Sequence, residues 1–325
     1  MSANDLAANA SGFKQQKKSR SEHLRFRLKK YWPLYVLMMP GLTYLLINNY
    51  IPMFGLFIAF KNVNYAVGIF KSDWVGFKNF EFLFGTKTAY EITRNTLLYN
   101  GAFIVLNTVI PVALAIFLNE VRKNLLVRIF QSALLLPHLI SMVIVSYLVY
   151  AFLNMQNGFM NKTLLPLLGL DPVMWYNEPE YWPWILILVN TWKSMGFFTV
   201  VFYAAIIGID KEYYEAAKLD GASMWNQIRH ITIPLLVPTI TVMVLFGIGR
   251  IFYSDFGLFY QVPLNSGALT STTNVIDTYV YRALFQLGDI GMSAAAGVYQ
   301  SIVGFVLVIV SNWIVRRYNR DNALF

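Results

Sequence analysis

Polar side chains inside long apolar runs are the residues of this sequence best suited to bind a solute. Asn190, Lys193, Ser194 and Phe197 fall on one face at helical spacing, in a run from 182 to 209 that contains no other charge. Amides and hydroxyls can replace the water that a buried hydroxyl group loses, and aromatic rings can stack on the apolar face of a sugar. This face is suited to contact a hydroxyl-rich solute such as a saccharide.

A second face of the same kind lies in the apolar run that follows. Phe246, Arg250 and Tyr253 share a helical face there, and Gln300 is the polar candidate in the last apolar run of the chain. We predict that these residues complete a path for such a solute.

Lys193 and Arg250 each allow two interpretations. A cation at the centre of a bilayer costs at least about 2.5 kcal/mol, so each needs a cavity or a partner. If both face the path, they favour an anionic cargo, such as an oligosaccharide that contains uronic acids. Otherwise Lys193 bonds a backbone carbonyl or a partner subunit, and Arg250 pairs with Asp255 or with a loop.

The composition argues against catalysis. The absence of cysteine removes thiolate metal sites and cysteine nucleophiles, and the three histidines (His23, His138 and His230) lack the spacing of a metal site. We expect no catalytic residue and no metal on this chain.

The chain has too little charge for a soluble protein of its size. Of its 325 residues, 57% are hydrophobic and 13% are charged. Six apolar runs reach the roughly 20 residues that a helix needs to cross a bilayer: 32–60, 95–118, 129–153, 182–209, 234–253 and 292–315. We therefore predict an all-α polytopic membrane protein with six transmembrane helices over residues 31–325.

The distribution of basic residues predicts the orientation. With six spans, 17 of the 26 Lys and Arg residues fall on the side that carries both termini. The positive-inside rule then places both termini in the cytoplasm. Residues 1–30 form a basic cytoplasmic N-terminal segment, whose first 13 residues we predict to be a disordered start.

The long cytoplasmic segment 210–233 has the pattern of two helices with a break between them. Asp210 can cap the first helix, and Asp220–Gly221 can end it, because glycine readily adopts the left-handed conformation found there. Trp225 and Ile228 begin an apolar stripe on the second helix, and Pro234 opens the fifth span. The segment is either a stiff contact for a soluble partner or an ordinary hairpin that links two spans.

The spacing within this segment resembles the EAA signature of ABC importer permeases. The matching residues are Glu215, Ala216, Ala217, Gly221, Ile231, Ile233 and Pro234, with Ile233 where leucine is usual. Further stretches resemble the LplB-type carbohydrate permeases, namely those at 31–41, 50–55, 58–61, 255–260 and 275–282.

The resemblance implies the type I ABC importer transmembrane fold and a role for each residue of the signature. Glu215 would meet a basic residue of an ATPase subunit, Ala216 and Ala217 would pack in its cleft, and Asp220 and Gly221 would form the bend. The implied partners are a second homologous permease, two ATP-binding subunits, an extracellular or periplasmic solute-binding protein and membrane lipid, but no nucleic acid.

The resemblance also implies where ATP acts. The sequence contains no Gly-Lys dipeptide and hence no P-loop, so ATP and Mg would bind the partner ATPase and this chain would carry no cofactor. The expected location is the bacterial cytoplasmic (inner) membrane, with several passes. The expected cargo is an oligosaccharide delivered by the external binding protein.

Two other classes stay open at this point. An EAA permease could carry phosphate, an amino acid or a peptide with the same 210–233 segment. A secondary transporter or an intramembrane enzyme is a third possibility, but the predicted spans hold no acidic residue and the sequence shows no internal repeat.

Overall fold

The computed structural model describes residues 20–121, 123–286 and 288–318, with side chains from residue 29 to residue 317 apart from the two gaps. The predicted disordered start, residues 1–13, lies outside the described residues, as does the rest of the basic segment before residue 20. The chain divides into two compact units after Leu56.

The first unit is helical throughout its described part. Helix α1 spans Arg20–Leu45 and continues through a π-helical turn, Leu46–Tyr50, and a short turn, Ile51–Met53. Its large apolar side chains are exposed, including Leu37 and Phe54. A surface of this kind is stable only when lipid or another protein covers it.

The second unit begins with a short outer segment and then the long helices. A 3₁₀ helix, Phe54–Phe60, crosses the unit boundary, and the two-residue strands β1 (Lys61–Asn62) and β2 (Asp73–Trp74) pair antiparallel. After the short helices Lys78–Phe80 and Glu81–Gly85 come α2 (Lys87–Glu120), α3 (Asn124–Leu139) and α4 (Met142–Leu153). The turns Met160–Leu164, Leu165–Leu167 and Pro179–Tyr181 lead into α5 (Trp182–Ile207).

The C-terminal half continues with helices only. Helix α6 spans Lys211–Leu219, followed by Met224–Gln227, a π turn at Ile228–Thr232 and α7 (Ile233–Gly249). The short elements Gly257–Gln261, Gly267–Leu269 and Thr270–Thr273 precede α8 (Ile276–Phe285) and α9 (Ile290–Tyr318).

The described residues contain five helices that are long and apolar enough to cross a membrane, or six if a bent pair counts as one span. The five are Lys29–Phe60, Lys87–Glu120, Pro179–Ile207, Met224–Gly249 and Ile290–Arg317. The all-α membrane fold predicted from the six apolar runs is therefore confirmed.

The third predicted span differs from a single straight helix. The run 129–153 is divided between α3 and α4, which are bent by 95° at the break. Ser141 begins α4 by accepting a hydrogen bond from the Ile144 backbone N–H, while Ile140 is extended. The apolar run is continuous across this break, so hydropathy alone does not reveal it.

The fifth predicted span differs at both ends. The second helix of the 210–233 segment runs through the π turn into α7 without a break, so Met224–Gly249 is one helix. The helix ends at Gly249, and Arg250 follows it instead of lying inside it. Two glycines near this end, Gly247 and Gly249, disfavour its continuation to residue 253.

Helix α5 is the centre of the packing in the second unit. It packs along α2 and against α3, while α9 packs against α7 and α8. The largest buried cluster includes Tyr99, Trp182, Leu186 and Phe259. Gly196 lies against the Leu134 backbone, where a Cβ would clash with the carbonyl, so α3 and α5 approach each other closely.

Candidate functional site

Helices α2, α5 and α7 enclose a cavity of about 250 Å³, which we name the Asn190 cavity. Five of the eight residues predicted for the path line it: Asn190, Ser194, Phe246, Arg250 and Tyr253. Residues that were selected by helical spacing on two predicted spans thus line one cavity. The remaining three, Lys193, Phe197 and Gln300, lie elsewhere.

The sequence analysis missed the contribution of α2. Asn100, Asn107 and Thr108 line the Asn190 cavity from this helix. Asn107 and Thr108 follow Asn100 by seven and eight residues in an uncharged apolar run. This is the spacing of one helical face. The same search for polar residues within spans would have found them.

Two amide groups in the Asn190 cavity lack protein partners. The Asn107 Oδ1 and Asn190 Nδ2 atoms are buried and, among the described residues, accept from or donate to no other group. A buried polar atom without a partner is costly, by about 1–3 kcal/mol. Both groups therefore keep unused hydrogen-bonding capacity in the wall of the cavity.

Arg250 presents a charge to the same cavity. Its side chain is exposed, and its guanidinium carbon lies 6.0 Å from the centroid of the Phe246 ring. The expected tie to Asp255 is not formed within the described part of the chain: Asp255 also lines the cavity, and its Oδ1 accepts a hydrogen bond from the Leu258 backbone N–H at 3.1 Å. The guanidinium donors of Arg250 remain free to bind an anion.

Lys193 has a structural role instead. Its ammonium donates hydrogen bonds to the carbonyl oxygens of Pro137, at 3.3 Å, His138, at 3.2 Å, and Ile140. These carbonyls lie at the break between α3 and α4, where regular helical pairing stops, and the Pro137 oxygen also accepts from the Ile140 backbone N–H. An ammonium has three donors, and all three are used, so Lys193 stabilises the bend and is not part of the cavity lining.

Phe197 and Gln300 also support the site from outside it. The Phe197 ring stacks on His138, with 5.1 Å between the ring centroids, beside the same bend. Gln300 is buried and donates to the Phe252 carbonyl oxygen at 2.6 Å and to Asp277 Oδ2 at 3.3 Å. It fixes the chain that follows α7.

Asp277 is an acidic group in α8, between the last two spans. It lies outside the apolar runs and was not predicted as a site residue. Its Oδ2 accepts a hydrogen bond from the Ser254 backbone N–H at 2.7 Å. Burial raises the pKa of the Asp277 carboxyl, while the hydrogen bonds from Ser254 and Gln300 and the charge of Arg250 act in the opposite direction. The carboxyl thus holds the 250–254 segment that carries Arg250 and Tyr253.

The 210–233 segment has the predicted helix, break and helix. Asp210 caps α6 by accepting from the Glu212 backbone N–H, and Gly221 has a φ of +77°. The Ala222 N–H then donates to the Ala217 carbonyl oxygen at 2.8 Å, which closes the C-terminal turn. The Tyr214 hydroxyl lies 2.9 Å from Thr232 Oγ1, so α6 is tied to the helix of the fifth span.

Large apolar side chains of this segment are exposed together with a carboxylate. Glu215, Ala216, Asp220 and Gly221 are exposed, and Ala217 is half-buried. Leu219 is 89% exposed, and three other large side chains of the segment are also exposed, namely Tyr213, Met224 and Trp225. Exposed apolar side chains at this density indicate a protein partner.

Residues 107–320 match the family model of the binding-protein-dependent transport system inner membrane component. Protein LplB of Bacillus subtilis is 34% identical over 89% of this chain and 90% of its own length. The polygalacturonan/rhamnogalacturonan transport system permease protein YteP of Bacillus subtilis is 32% identical over 97% of this chain and 96% of its own.

Solved structures are similar over nearly the whole chain. A crystallised bacterial ABC transporter involved in the import of the acidic polysaccharide alginate has a chain with a TM-score of 0.83 and 35% identity, covering 92% of this chain and all of that one. A second structure, of a bacterial alginate ABC transporter in complex with an alginate pentasaccharide-bound periplasmic protein, has a TM-score of 0.83 and 34% identity over 92% of this chain and 99% of that one.

Proposed function

This chain belongs to the binding-protein-dependent transport system inner membrane component family, and on that premise we propose that it imports an acidic, uronate-containing oligosaccharide through the Asn190 cavity. The chain is a multi-pass permease subunit of a sugar ABC importer. The observation that carries the proposal for the cargo is the free guanidinium of Arg250 beside two unpartnered amides.

The chemistry of the Asn190 cavity supports a carbohydrate with carboxylates. The amides of Asn107 and Asn190 suit hydroxyl groups, and the rings of Phe246 and Tyr253 suit the apolar faces of sugars. Arg250 is the group that favours a carboxylate, because a guanidinium binds it with two charge-assisted hydrogen bonds. The relatives that transport polygalacturonan and alginate handle acidic polymers of this class.

The 210–233 segment supports an ATPase as the partner that drives transport. Its large apolar side chains and Glu215 are exposed, and Gly221 sets the angle between its two helices. Because the second helix continues into α7, a displacement of this surface moves a wall of the Asn190 cavity directly. ATP and Mg would bind the ATPase subunits, of which we infer two.

The remaining subunits and the orientation follow from the same premise. A solute-binding protein supplies the cargo, as in the alginate transporter captured with its periplasmic protein. A second homologous permease would cover apolar surface on this chain. The excess of basic residues around both termini favours a cytoplasmic location for them, in the inner membrane of a bacterium.

The test of the cargo is uptake by the complete complex in vesicles. A galacturonate oligosaccharide is compared with the same oligosaccharide after its carboxyl groups are reduced to alcohols, so that length and linkage are matched. We expect faster uptake of the acidic form at low concentration. Equal uptake of both forms would contradict the proposal for an acidic cargo.

The test of the 210–233 segment uses Glu215→Arg and Gly221→Pro in the same vesicles. Arginine places a cation where a carboxylate is exposed, and proline cannot adopt the positive φ of Gly221. We expect ATP hydrolysis to continue with uptake reduced at least about tenfold, or the ATPase to dissociate. Glu178→Arg, at the opposite end of α5, is the matched control. Unchanged coupling in both variants would contradict the assignment of the partner surface.

A further inference from the structure

A second cavity, of about 440 Å³, lies at the ends of α4 and α5 that point away from the 210–233 segment. We name it the Tyr176 cavity. It forms where α4 ends at Leu153 and α5 begins at Trp182, whereas the other end of α5, Ile207, leads to the 210–233 segment. Since α5 has 26 residues, the two ends are about 39 Å apart.

The lining of the Tyr176 cavity combines aromatic and amide side chains with aliphatic side chains, two methionines and a serine, and contains no charged residue. The aromatic residues are Tyr150, Trp175 and Tyr176, and the amides are Asn154, Gln156 and Asn177. Uncharged hydrogen-bonding groups beside aromatic rings are suited to a sugar ring, whose hydroxyls need donors and acceptors and whose C–H face is apolar. No lining residue is shared with the Asn190 cavity.

Hydrogen-bonding groups in this lining are unused by the protein. The hydroxyl oxygen of Tyr176 is buried without a partner among the described residues. Asn154 Oδ1 accepts from the backbone N–H groups of Gln156 and Asn157, at 2.8 and 2.9 Å, which leaves its Nδ2 free. The side-chain amide of Gln156 bonds to no group within the described part of the chain.

The wall that carries Tyr176 is rigid. The Ser266 hydroxyl donates to the Tyr176 carbonyl oxygen at 3.1 Å, and the Tyr176 ring lies edge-on to Tyr150 and Trp182, at centroid distances of 5.7 and 5.1 Å. The indole of Trp182 donates to the Trp175 carbonyl oxygen at 2.7 Å. A site whose walls are fixed in this way loses little entropy when a ligand binds.

We propose that the Tyr176 cavity binds one sugar ring of the saccharide cargo, on the face of the permease opposite the 210–233 segment, before the cargo reaches the Asn190 cavity. This inference rests on the proposed function as a saccharide permease. The two cavities recognise different parts of the cargo. In the Asn190 cavity Arg250 binds a carboxylate, and in the Tyr176 cavity uncharged groups bind the sugar ring and its hydroxyls.

The experiment is photo-crosslinking to the complete permease and ATPase complex in lipid nanodiscs, without the binding protein. The probe is a tetrasaccharide of alternating galacturonate and rhamnose with a diazirine at its reducing end. Mass spectrometry of this chain reports crosslinks to peptides that contain residues 150–156 or 174–177, and the yield at increasing probe concentration gives the half-saturating concentration.

The test variants are Tyr176→Phe and Gln156→Ala, and Tyr147→Phe is the matched control. Tyr147 is exposed in α4, one turn before Tyr150, and is not part of the lining. We expect the half-saturating concentration to rise about fivefold for each test variant, the usual effect of one lost hydrogen bond, and to stay unchanged for the control. Tyr176→Phe should not lower the melting temperature, because it removes a hydroxyl that has no protein partner.

The possible outcomes separate this inference from the proposed function. If the wild-type complex imports saccharide in the vesicle assay but all three variants crosslink like the wild type, the inference is wrong and the proposed function stands. If a separate titration of the nanodiscs with the binding protein shows that the variants weaken only that affinity, the Tyr176 cavity is a protein contact and the inference is again wrong. If the wild-type complex imports no saccharide with its binding protein present, the proposed function itself fails.

Discussion

Lys193 and Arg250 are two cations next to the same group of apolar helices, and the protein uses them in opposite ways. Lys193 gives all three of its donors to carbonyls at the break between α3 and α4. Arg250 follows the end of α7, gives none of its guanidinium donors to the described residues, and lines the Asn190 cavity. One cation stabilises the fold, and the other is free to bind a solute.

The comparison shows that a cation within an apolar region can have either a structural role or a binding role. Either cation must offset the cost of leaving water, by fixed hydrogen bonds or by contact with a polar cavity. Backbone carbonyls at a helix break are strong acceptors that lack helical partners, so they can satisfy a lysine completely. At the end of α7 the neighbouring carbonyls already have other donors, such as Asn100 for Ile251 and Gln300 for Phe252. The Arg250 guanidinium therefore remains available for a ligand.

The largest effect is expected from removing the ammonium of Lys193. Lys193→Met leaves three carbonyls without a charged donor, which should lower the stability by about 3 kcal/mol or more. We expect a clear fall in the melting temperature of the purified complex, measured by size-exclusion chromatography after heating. Uptake should fall in proportion to the loss of folded complex.

The matched control for this variant is Lys162→Met. Lys162 is an exposed lysine in the turn Met160–Leu164, and its side chain bonds to no described residue. Its substitution should leave the melting temperature unchanged. If Lys193→Met were as stable as Lys162→Met, but selectively impaired with acidic cargo, Lys193 would belong to the path and the comparison would be wrong.

The second effect is expected from Arg250, on transport and not on stability. Arg250→Met should raise the KM for the galacturonate oligosaccharide about tenfold or more, because charge-assisted hydrogen bonds to the carboxylate are lost. The KM for the carboxyl-reduced oligosaccharide should not change, and neither should the melting temperature. Equal changes in KM for both oligosaccharides would contradict a role of Arg250 in selecting the charged cargo.

A smaller effect is expected from the unpartnered amides. Asn107→Leu and Asn190→Leu each remove a hydrogen bond to cargo, so the KM for uptake should rise about fivefold while the stability stays equal or increases. Thr191→Val is a stringent control, because the Thr191 hydroxyl is also buried without a partner but does not line the Asn190 cavity. A similar KM change in Thr191→Val would point to a general packing effect.

The smallest effect concerns the pH dependence that Asp277 contributes. Because burial raises the pKa of the Asp277 carboxyl, the folded state binds its proton more tightly than the unfolded state does. Stability therefore falls as the pH rises from the ordinary value, about 4, through the raised one. Asp277→Asn should flatten the melting temperature between these values. Identical pH profiles for the wild type and Asp277→Asn would contradict this assignment.

The sequence predicted the features that depend on local patterns. The helical membrane fold followed from apolar runs, and the turn at Gly221 followed from the Asp-Gly pair, because both are determined by neighbouring residues. Helical spacing also placed Asn190 and Ser194 correctly on one wall of a cavity.

The sequence could not predict the features that depend on distant contacts. Lys193 meets carbonyls more than 50 residues away, which lie at a 95° bend within a continuous apolar run. Asp277 lies outside the spans, and the tertiary structure alone brings it to Gln300 and Ser254. A residue's face on a helix can be read from spacing, but its partner on another helix cannot.

The most direct test of the central claim, that cargo passes through the Asn190 cavity, uses the absence of cysteine from this chain. Ser194→Cys places a single thiol in the cavity, and Ser311→Cys places one in the apolar groove between α7 and α9 as a control. The measurement is the rate of thiosulfonate labelling on this chain in the complete complex, with and without the cargo-loaded binding protein and ATP. Slower labelling at residue 194 alone when cargo is present is the predicted result, and equal rates at residue 194 with and without cargo would contradict it.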